Sequence, residues 1–174
     1  MEILINLIDD QYPSTGIKRI RHNCRGVVFD ENKKVALTHL FKEMDDFGGR
    51  NYYELPGGGK KPGETTLEAA IREMEEELGV KVTLVKEIGI IHDFYNLIQQ
   101  ENYSYYYVFK VNGQSVQALE EREKGLIDRI EWVSLDQAIN YYRQFSQNGV
   151  GLLVKRRELP ILEEVKKIYQ ELML

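Results

Sequence analysis

The sequence predicts an α/β fold in which a mixed β-sheet is covered by helices on both faces. Strand-like segments recur between Arg19 and Val133, interleaved with helical ones. A Gly-rich turn at Pro56 to Gly63 runs directly into a helix start, and apolar residues return at helical spacing near the C-terminus.

The opening run MEILINLIDD is apolar but interrupted by Glu2 and Asn6, and it reads as a first strand within an N-terminal extension, residues 1–18. It carries neither the basic leader nor the small-residue cleavage pattern of a signal peptide. Arg19 to Phe29 is strand-like, Asp30-Glu31-Asn32-Lys33 is a turn, and Lys34 to Phe41 is the return strand of a hairpin. Lys42 to Asn51 is polar, carries Gly48-Gly49 and is expected as a loop. A short strand follows at Tyr52 to Leu55, and then the turn at Pro56 to Gly63. Thr65-x-x-Glu68 resembles a capping box, opening a helix that ends near Gly79. Further strands are expected at Val82 to His92, Tyr103 to Val111 and Arg129 to Val133, the last followed by a helix start at Ser134-Leu135-Asp136. The closing helix is expected over Pro160 to Leu172, where Ile161, Leu162, Val165, Ile168, Tyr169 and Leu172 recur at helical spacing.

With 174 residues the chain is most simply one domain, 1–174, long enough to bury a substantial core. Its 43% hydrophobic and 29% charged residues are those of a soluble globular protein. A net charge of -5 gives no basis for bulk attraction to a nucleic acid polymer or an anionic membrane. No apolar run approaches the length of a membrane span. Cys24 is the only cysteine, so neither an internal disulfide nor a cysteine zinc site is available, which fits a cytoplasmic location. Its place in a strand makes it a small buried hydrophobe.

The stretch Gly58 to Val80 carries the chemistry. At about 100° per residue, Glu73, Glu76 and Glu77 fall within an arc of roughly 100° on the predicted helix. Acidic side chains so placed repel one another, and a divalent cation is the simplest compensation. Hard oxygen ligands suit Mg²⁺, with Mn²⁺ as a substitute, and a cation beside a Gly-rich loop suggests phosphate chemistry. Leu67, Ala70, Ile71, Met74 and Leu78 form a neighbouring arc that should pack on the sheet, while Glu75 points away from the carboxylates. Arg72 is placed to hold a carboxylate through a bidentate pair. A run of Glu alone would more often be a solvated helix face; the turn before it and the register of every residue decide for chemistry.

Gly58, five residues, Glu64, seven residues, then Arg72-Glu73-Met74-x-Glu76-Glu77-x-Gly79-Val80 fill every defining position of a known pattern. The stretch resembles the Nudix box. Glu54-Leu55-Pro56-Gly57 and Glu131-Trp132-Val133-Ser134-Leu135-Asp136 resemble the family's flanking segments, so the resemblance covers about Arg19 to Tyr142. It implies a Nudix-like α/β/α sandwich and a Mg²⁺-dependent pyrophosphohydrolase. The bond cut would be the diphosphate linkage of a nucleoside diphosphate derivative or a nucleoside triphosphate. It implies Glu76 and Glu77 as central metal ligands and Glu73 as metal ligand or general base. It further implies Glu64 as a support of the helix start and metal shell, the Gly58 carbonyl as a further ligand, and Arg72 as the group that orients the acids. Lys61 stands where many relatives carry a glutamate. The implied partner is a small-molecule nucleotide or another diphosphate, with no nucleic acid polymer and no membrane, and a homodimer follows by analogy. The alternative is a nucleotide-binding or regulatory module that keeps the fold without hydrolysis; such modules usually show a damaged box, and this one is complete. The isomerase relative acting on isopentenyl diphosphate would need a catalytic cysteine and a different acidic arrangement.

Outside the box, the resemblance implies a further acidic residue from a later loop as metal ligand or base; in ALEEREKG the order is Glu121, Glu123, Glu120, the alternative for each being a solvated charge run. Arg19, Arg21, Asn23 and Arg25 share parity along one strand and should project from one face, either as the binding site of a substrate diphosphate or as a basic outer strand face; Arg25 resembles an arginine of many relatives. His39 and His92 are expected to be structural or surface histidines. Of Tyr52, Tyr53, Tyr95, Tyr103, Tyr105, Tyr106 and Tyr107, at most one or two should touch substrate, since strands favour tyrosine for packing alone. Selectivity is expected to lie in the loops Lys42 to Asn51, Asn96 to Tyr103 and Gln114 to Gly125.

Overall fold

A computed structural model describes residues 1–44, 48–144 and 149–172. Its strands are β1 (Ile3–Asn6), β2 (Arg19–Phe29), β3 (Val35–Lys42), β4 (Arg50–Glu54), β5 (Gly57–Gly59), β6 (Val80–Tyr95), β7 (Gln100–Gln114) and β8 (Ile127–Val133). The helices are α1 (Thr66–Leu78), the one-turn α2 (Glu121–Lys124), α3 (Leu135–Gln144) and α4 (Gly149–Ile168). The sheet runs β1-β6-β7-β2-β3-β4, with β5 paired to β2 and β8 to β3.

At the centre, β2 and β7 run parallel from Arg19 opposite Gln100 to Phe29 opposite Lys110, while β6 pairs antiparallel with β7. Because both faces of β2 are covered, it ends in a continuous buried run from Asn23 to Phe29 and does not alternate. On one face α1 packs Ala69, Ala70 and Met74 against Cys24, Val28 and Phe109. On the other, Ala138, Ile139 and Tyr142 of α3 and Val154, Ile161 and Leu162 of α4 cover Val27, Leu37, Ile91 and Tyr106. This is the α/β/α sandwich anticipated from the sequence.

Helix α1 has the bounds its local signals predict. Thr65 Oγ1 accepts from the Glu68 N–H at 3.2 Å, and Glu68 Oε2 accepts from the Thr65 N–H at 2.8 Å. Such a cap contributes about 1 kcal/mol. Gly79, at φ 66°, ends the helix by donating its N–H to the Glu75 carbonyl.

Elsewhere the structure departs from expectation. The Pro56 to Gly63 turn contains a strand, β5, which exists only through its pairing with β2. The closing helix begins at Gly149, well before Pro160, which lies inside it. Leu153 and Val154 continue the apolar face upstream of the proline, but the buried charges Arg157 and Glu158 and two glycines mask that periodicity. Helix α4 ends at Ile168, with a turn beyond. The segment before Tyr103 is a 3₁₀ turn at Asn96–Ile98 followed by the start of β7. In the loop at Lys42 to Asn51, residues 45–47 lie outside the described residues. Among the described residues no helix is long and apolar enough to cross a membrane.

Candidate active site

The site is assembled where β5, α1 and the α2 turn meet. Pairing puts Gly57, Gly58 and Gly59 opposite Arg25, Cys24 and Asn23 of β2. Gly57 has φ 145°, and a Cβ there would lie 2.2 Å from the Cys24 carbonyl oxygen. A Cβ on Gly58 would fall 2.6 Å from Glu73 Oε1, so the glycines admit the Glu73 carboxylate against the backbone. The Gly57 N–H donates to Glu77 Oε2 at 3.0 Å, tying the turn to the helix.

Glu73, Glu77 and Glu123 each bring a carboxylate oxygen within 4.8 Å of the others. Glu73 and Glu77 are buried. Burial pushes the carboxyl of Glu73 up; Arg72 opposes the shift, and Glu123 and Glu76 add to it. Burial likewise drives Glu77 well above the usual carboxylate range, with Glu54 and Glu73 adding to it and Arg25 opposing. Such a group is costly as anions alone, and an all-oxygen donor set of this kind suits a hard divalent cation, Mg²⁺ or Mn²⁺.

Glu76 lies beside this trio, not within it. Its Oε2 accepts from Arg72 Nη1 at 2.7 Å, and its Oε1 is 3.6 Å from Lys61 Nζ. Arg72 organises the cluster: Nη1 also reaches Glu73 Oε1 at 2.7 Å, Nε reaches Glu64 Oε1 at 2.6 Å, and Nη2 donates to the Gly59 carbonyl at 3.2 Å. Glu64 further accepts from the Lys61 N–H at 2.8 Å. The Arg72 hydrogen bond, then that N–H, hold the Glu64 carboxyl down at about 2.

The preference for Glu121 is overturned. Its side chain is 90% exposed and pairs with Lys124 at 2.6 Å, whereas Glu123 joins Glu73 and Glu77. Two residues apart on a helical turn, the side chains point about 200° apart, so only one of them can face the box. Glu120 takes a third position, 3.3 Å from Lys61 Nζ.

Glu73, Glu77, Glu120, Glu123 and Lys61 share a cavity of about 610 Å³, also lined by Arg19, Arg21, Asn23 and Arg25, the residues of one parity on β2. Arg25 has a different task from the other two arginines. It is buried, donates from Nη1 to the Leu55 carbonyl at 2.5 Å, and lies 3.3 Å from Glu54 and 3.4 Å from Glu158. Burial opposes its charge, but Glu54 and then Glu158 keep it firmly protonated. Its fork is engaged by internal carboxylates, whereas Arg19, Arg21, Arg50 and Arg157 also line the cavity.

Sequence reading missed Asp93, Gln100, Asn102, Arg157 and Glu158, all buried polar residues. Gln100, Asn102 and Ser104 do alternate along β7, a period-two signal that starting the strand at Tyr103 concealed. Of the tyrosines, Tyr52 and Tyr95 line the cavity. His39 hydrogen-bonds Asp128 and Asn51, both at 3.0 Å, and His92 hydrogen-bonds Asn6 at 2.8 Å and Glu101 at 2.9 Å; neither lines the cavity. Burial pushes the Cys24 thiol up to about 12, with Glu73 adding to it.

A helix-covered mixed sheet, with helical carboxylates converging on a Gly-rich turn, defines an α/β protein with a cluster of three glutamates at the end of its cavity. Residues 20–151 match the NUDIX domain, and the chain belongs to the NUDIX family. It is 36% identical over 78 residues to Nudix hydrolase 6 of Arabidopsis thaliana, across 44% of this chain and 28% of that protein. The matched segment therefore spans little more than a quarter of the plant protein. Identity to an RNA pyrophosphohydrolase of Bartonella bacilliformis is 22% over 136 residues, covering 70% of this chain and 77% of that one. Among solved structures, a NUDIX hydrolase from Nitrosomonas europaea superposes with a TM-score of 0.61 at 17% identity, covering 87% of this chain and 88% of that one. The MutT protein from Methanosarcina mazei Go1 gives 0.54 at 19% identity, covering 72% and 89%. These two likenesses concern the fold.

Proposed function

We propose that the protein is a cytoplasmic, Mg²⁺-dependent pyrophosphohydrolase acting on the diphosphate linkage of a small nucleoside diphosphate derivative or nucleoside triphosphate. The observation that carries this reading is the convergence of Glu73, Glu77 and Glu123 within 4.8 Å beside the Gly57–Gly59 turn, in a cavity that also presents Arg19 and Arg21. It is supported by relatives named for the same bond: the RNA pyrophosphohydrolase above and an 8-oxo-dGTP diphosphatase of Proteus vulgaris, 32% identical over 78 residues.

Glu73, Glu77 and Glu123 would hold the cation, with Glu76 beside them and the Gly58 carbonyl as the further ligand that the family pattern implies. When bound, the metal neutralises phosphoryl charge and activates water. The chain's own work is placement. Arg72 holds Glu73 and Glu76 with one guanidinium, and the Gly57 N–H fixes Glu77. Glu73 serves as metal ligand or as general base. Arg19 and Arg21 supply positive charge for a diphosphate, and the net charge of -5 is the ground for proposing a small nucleotide over a nucleic acid polymer. A homodimer is the expected assembly.

The test is ³¹P NMR of the purified protein with a panel of nucleoside triphosphates, nucleotide sugars, ADP-ribose and dinucleoside polyphosphates, with Mg²⁺ and then with chelator. Cleavage of at least one compound, abolished by chelation, is expected. Absence of cleavage across the panel would overturn the hydrolase reading.

A further inference from the structure

Lys61 lies in the turn between β5 and α1 and lines the cavity together with Glu73, Glu77, Glu120 and Glu123. Its ammonium stands 3.3 Å from Glu120 Oε1 and 3.6 Å from Glu76 Oε1, so it bridges the α2 turn to the box helix.

Both partners are anchored from behind. Arg72 Nη1 holds Glu76 through its other oxygen, Oε2, at 2.7 Å. Glu120 is delivered by the segment before it, which is fastened along the last turn of α1. There the Ser115 N–H donates to the Gly79 carbonyl at 2.8 Å and the Ala118 N–H to the Glu76 carbonyl at 2.9 Å. Gln117 Nε2 donates to the Glu77 carbonyl at 2.6 Å. The backbone of Lys61 is fixed as well, its N–H donating to Glu64 Oε2 at 2.8 Å. The ammonium is therefore set between two carboxylates supplied by different elements, as a bridging metal ion would be.

The carboxylates of the site divide accordingly. Each oxygen of Glu76 faces a cationic side chain, Arg72 at one and Lys61 at the other. Glu77 Oε2 instead accepts from the neutral Gly57 N–H, and Glu123 Oε2 from the Glu120 N–H at 2.8 Å. Glu73, Glu77 and Glu123 are also the three that converge, without Glu76 or Glu120. The need of the trio for a divalent cation stands, while that of Glu76 and Glu120 is met from within the chain. The Lys61 side chain is 46% exposed, and ion pairs so placed add little to stability. Its consequence lies in metal binding, not in folding.

We propose that Lys61 is a built-in cation of the centre. Its ammonium fills the position between Glu76 and Glu120 that a second divalent ion would otherwise take, so the substrate-free protein holds one such ion, on Glu73, Glu77 and Glu123. Two carboxylates with water are a sufficient start for a hard cation, and a tethered positive charge between them excludes it. This inference rests on reading the trio as a cation centre.

The probe is Mn²⁺ alone, and the electron paramagnetic resonance of the unbound ion counts how many the full chain takes up without substrate. Wild type should bind one Mn²⁺ per chain, and Lys61→Arg, which keeps the charge, should also bind one. Lys61→Met should bind two. Adding Glu120→Gln to Lys61→Met should return the count to one, because the second ion then lacks a carboxylate. Should Lys61→Met misfold by circular dichroism, Lys61→Gln takes its place with the same expected count. Two ions on the wild type or on Lys61→Arg, one on the neutral variant, or two on the double variant would each overturn the inference. The readings fail distinguishably. No Mn²⁺ on the wild type removes the cation centre and this inference with it, whereas one ion on both wild type and Lys61→Met removes this inference alone.

Discussion

The backbone N–H of Leu55 donates to Glu158 Oε2 at 2.7 Å, joining the start of the Gly-rich turn to the middle of α4. The same oxygen accepts from Tyr142 at 2.5 Å, and Oε1 faces Arg25 Nε at 3.4 Å. One buried carboxylate thus holds the chain just before the glycines, helix α3 and the central strand in a fixed relation.

Removing that carboxylate strands its partners. Glu158→Ala leaves the Arg25 guanidinium short of a countercharge and two donors unpaired in the core, and should cost about 3–5 kcal/mol. Urea denaturation followed by tryptophan fluorescence measures it; a loss below about 1 kcal/mol would show the anchor to be dispensable.

Glu123 and Glu121 are separated by one residue and by opposite placement. Glu123→Gln should lower metal-dependent turnover by about a hundredfold and raise the Mg²⁺ concentration required, as loss of a ligand does. Glu121→Gln should leave turnover within about twofold, because its side chain is exposed and pairs with Lys124 at the surface. Metal titrations of both variants decide the matter, and the reverse pattern would restore the expectation drawn from sequence.

Gly58→Ala should damage activity more than stability. The added methyl would fall 2.6 Å from Glu73 Oε1 and push that carboxylate from its place. A displacement on the order of 1 Å can cost about a hundredfold in rate. Steady-state kinetics with parallel thermal melts would show it; an unchanged kcat would mean that Glu73 tolerates the shift.

Cys24 should be inert in the folded protein. With the thiol raised to about 12 by burial, little thiolate exists near pH 8, and Ellman's reagent should react only after denaturation. The linked effect on stability has a definite sign. A raised acid pKa gives stability that is fully present below the unfolded value of 9.0 and is lost as pH rises toward about 12. Tyr53, raised from 10.0 to about 12, adds in the same direction. Melting temperature should therefore fall across that interval, and a flat profile from pH 9 to 12 would contradict it.

Helix α1 and β2 are legible in the sequence, for a local reason. Thr65, Glu68 and Gly79 are capping signals that act within a turn or two, and Arg19 to Phe29 closes on the strand formers Val27, Val28 and Phe29. Helix α4 was half hidden, because Arg157 and Glu158 are polar letters at core positions, and their burial makes sense only once Asp93 and Arg25 stand opposite them. Strand β5 was invisible, since three glycines have no strand propensity and pair only because β2 is there.

By itself, then, the sequence determined the helix of the box and the register of its carboxylates. Capping, helical period and like-charge repulsion all operate over a few residues. The tertiary structure decided which loop carboxylate lies with Glu73 and Glu77 and which arginine is committed to the core. Those outcomes depend on pairings between distant segments, such as Leu55 with Glu158, and on the direction a single helical turn points its side chains.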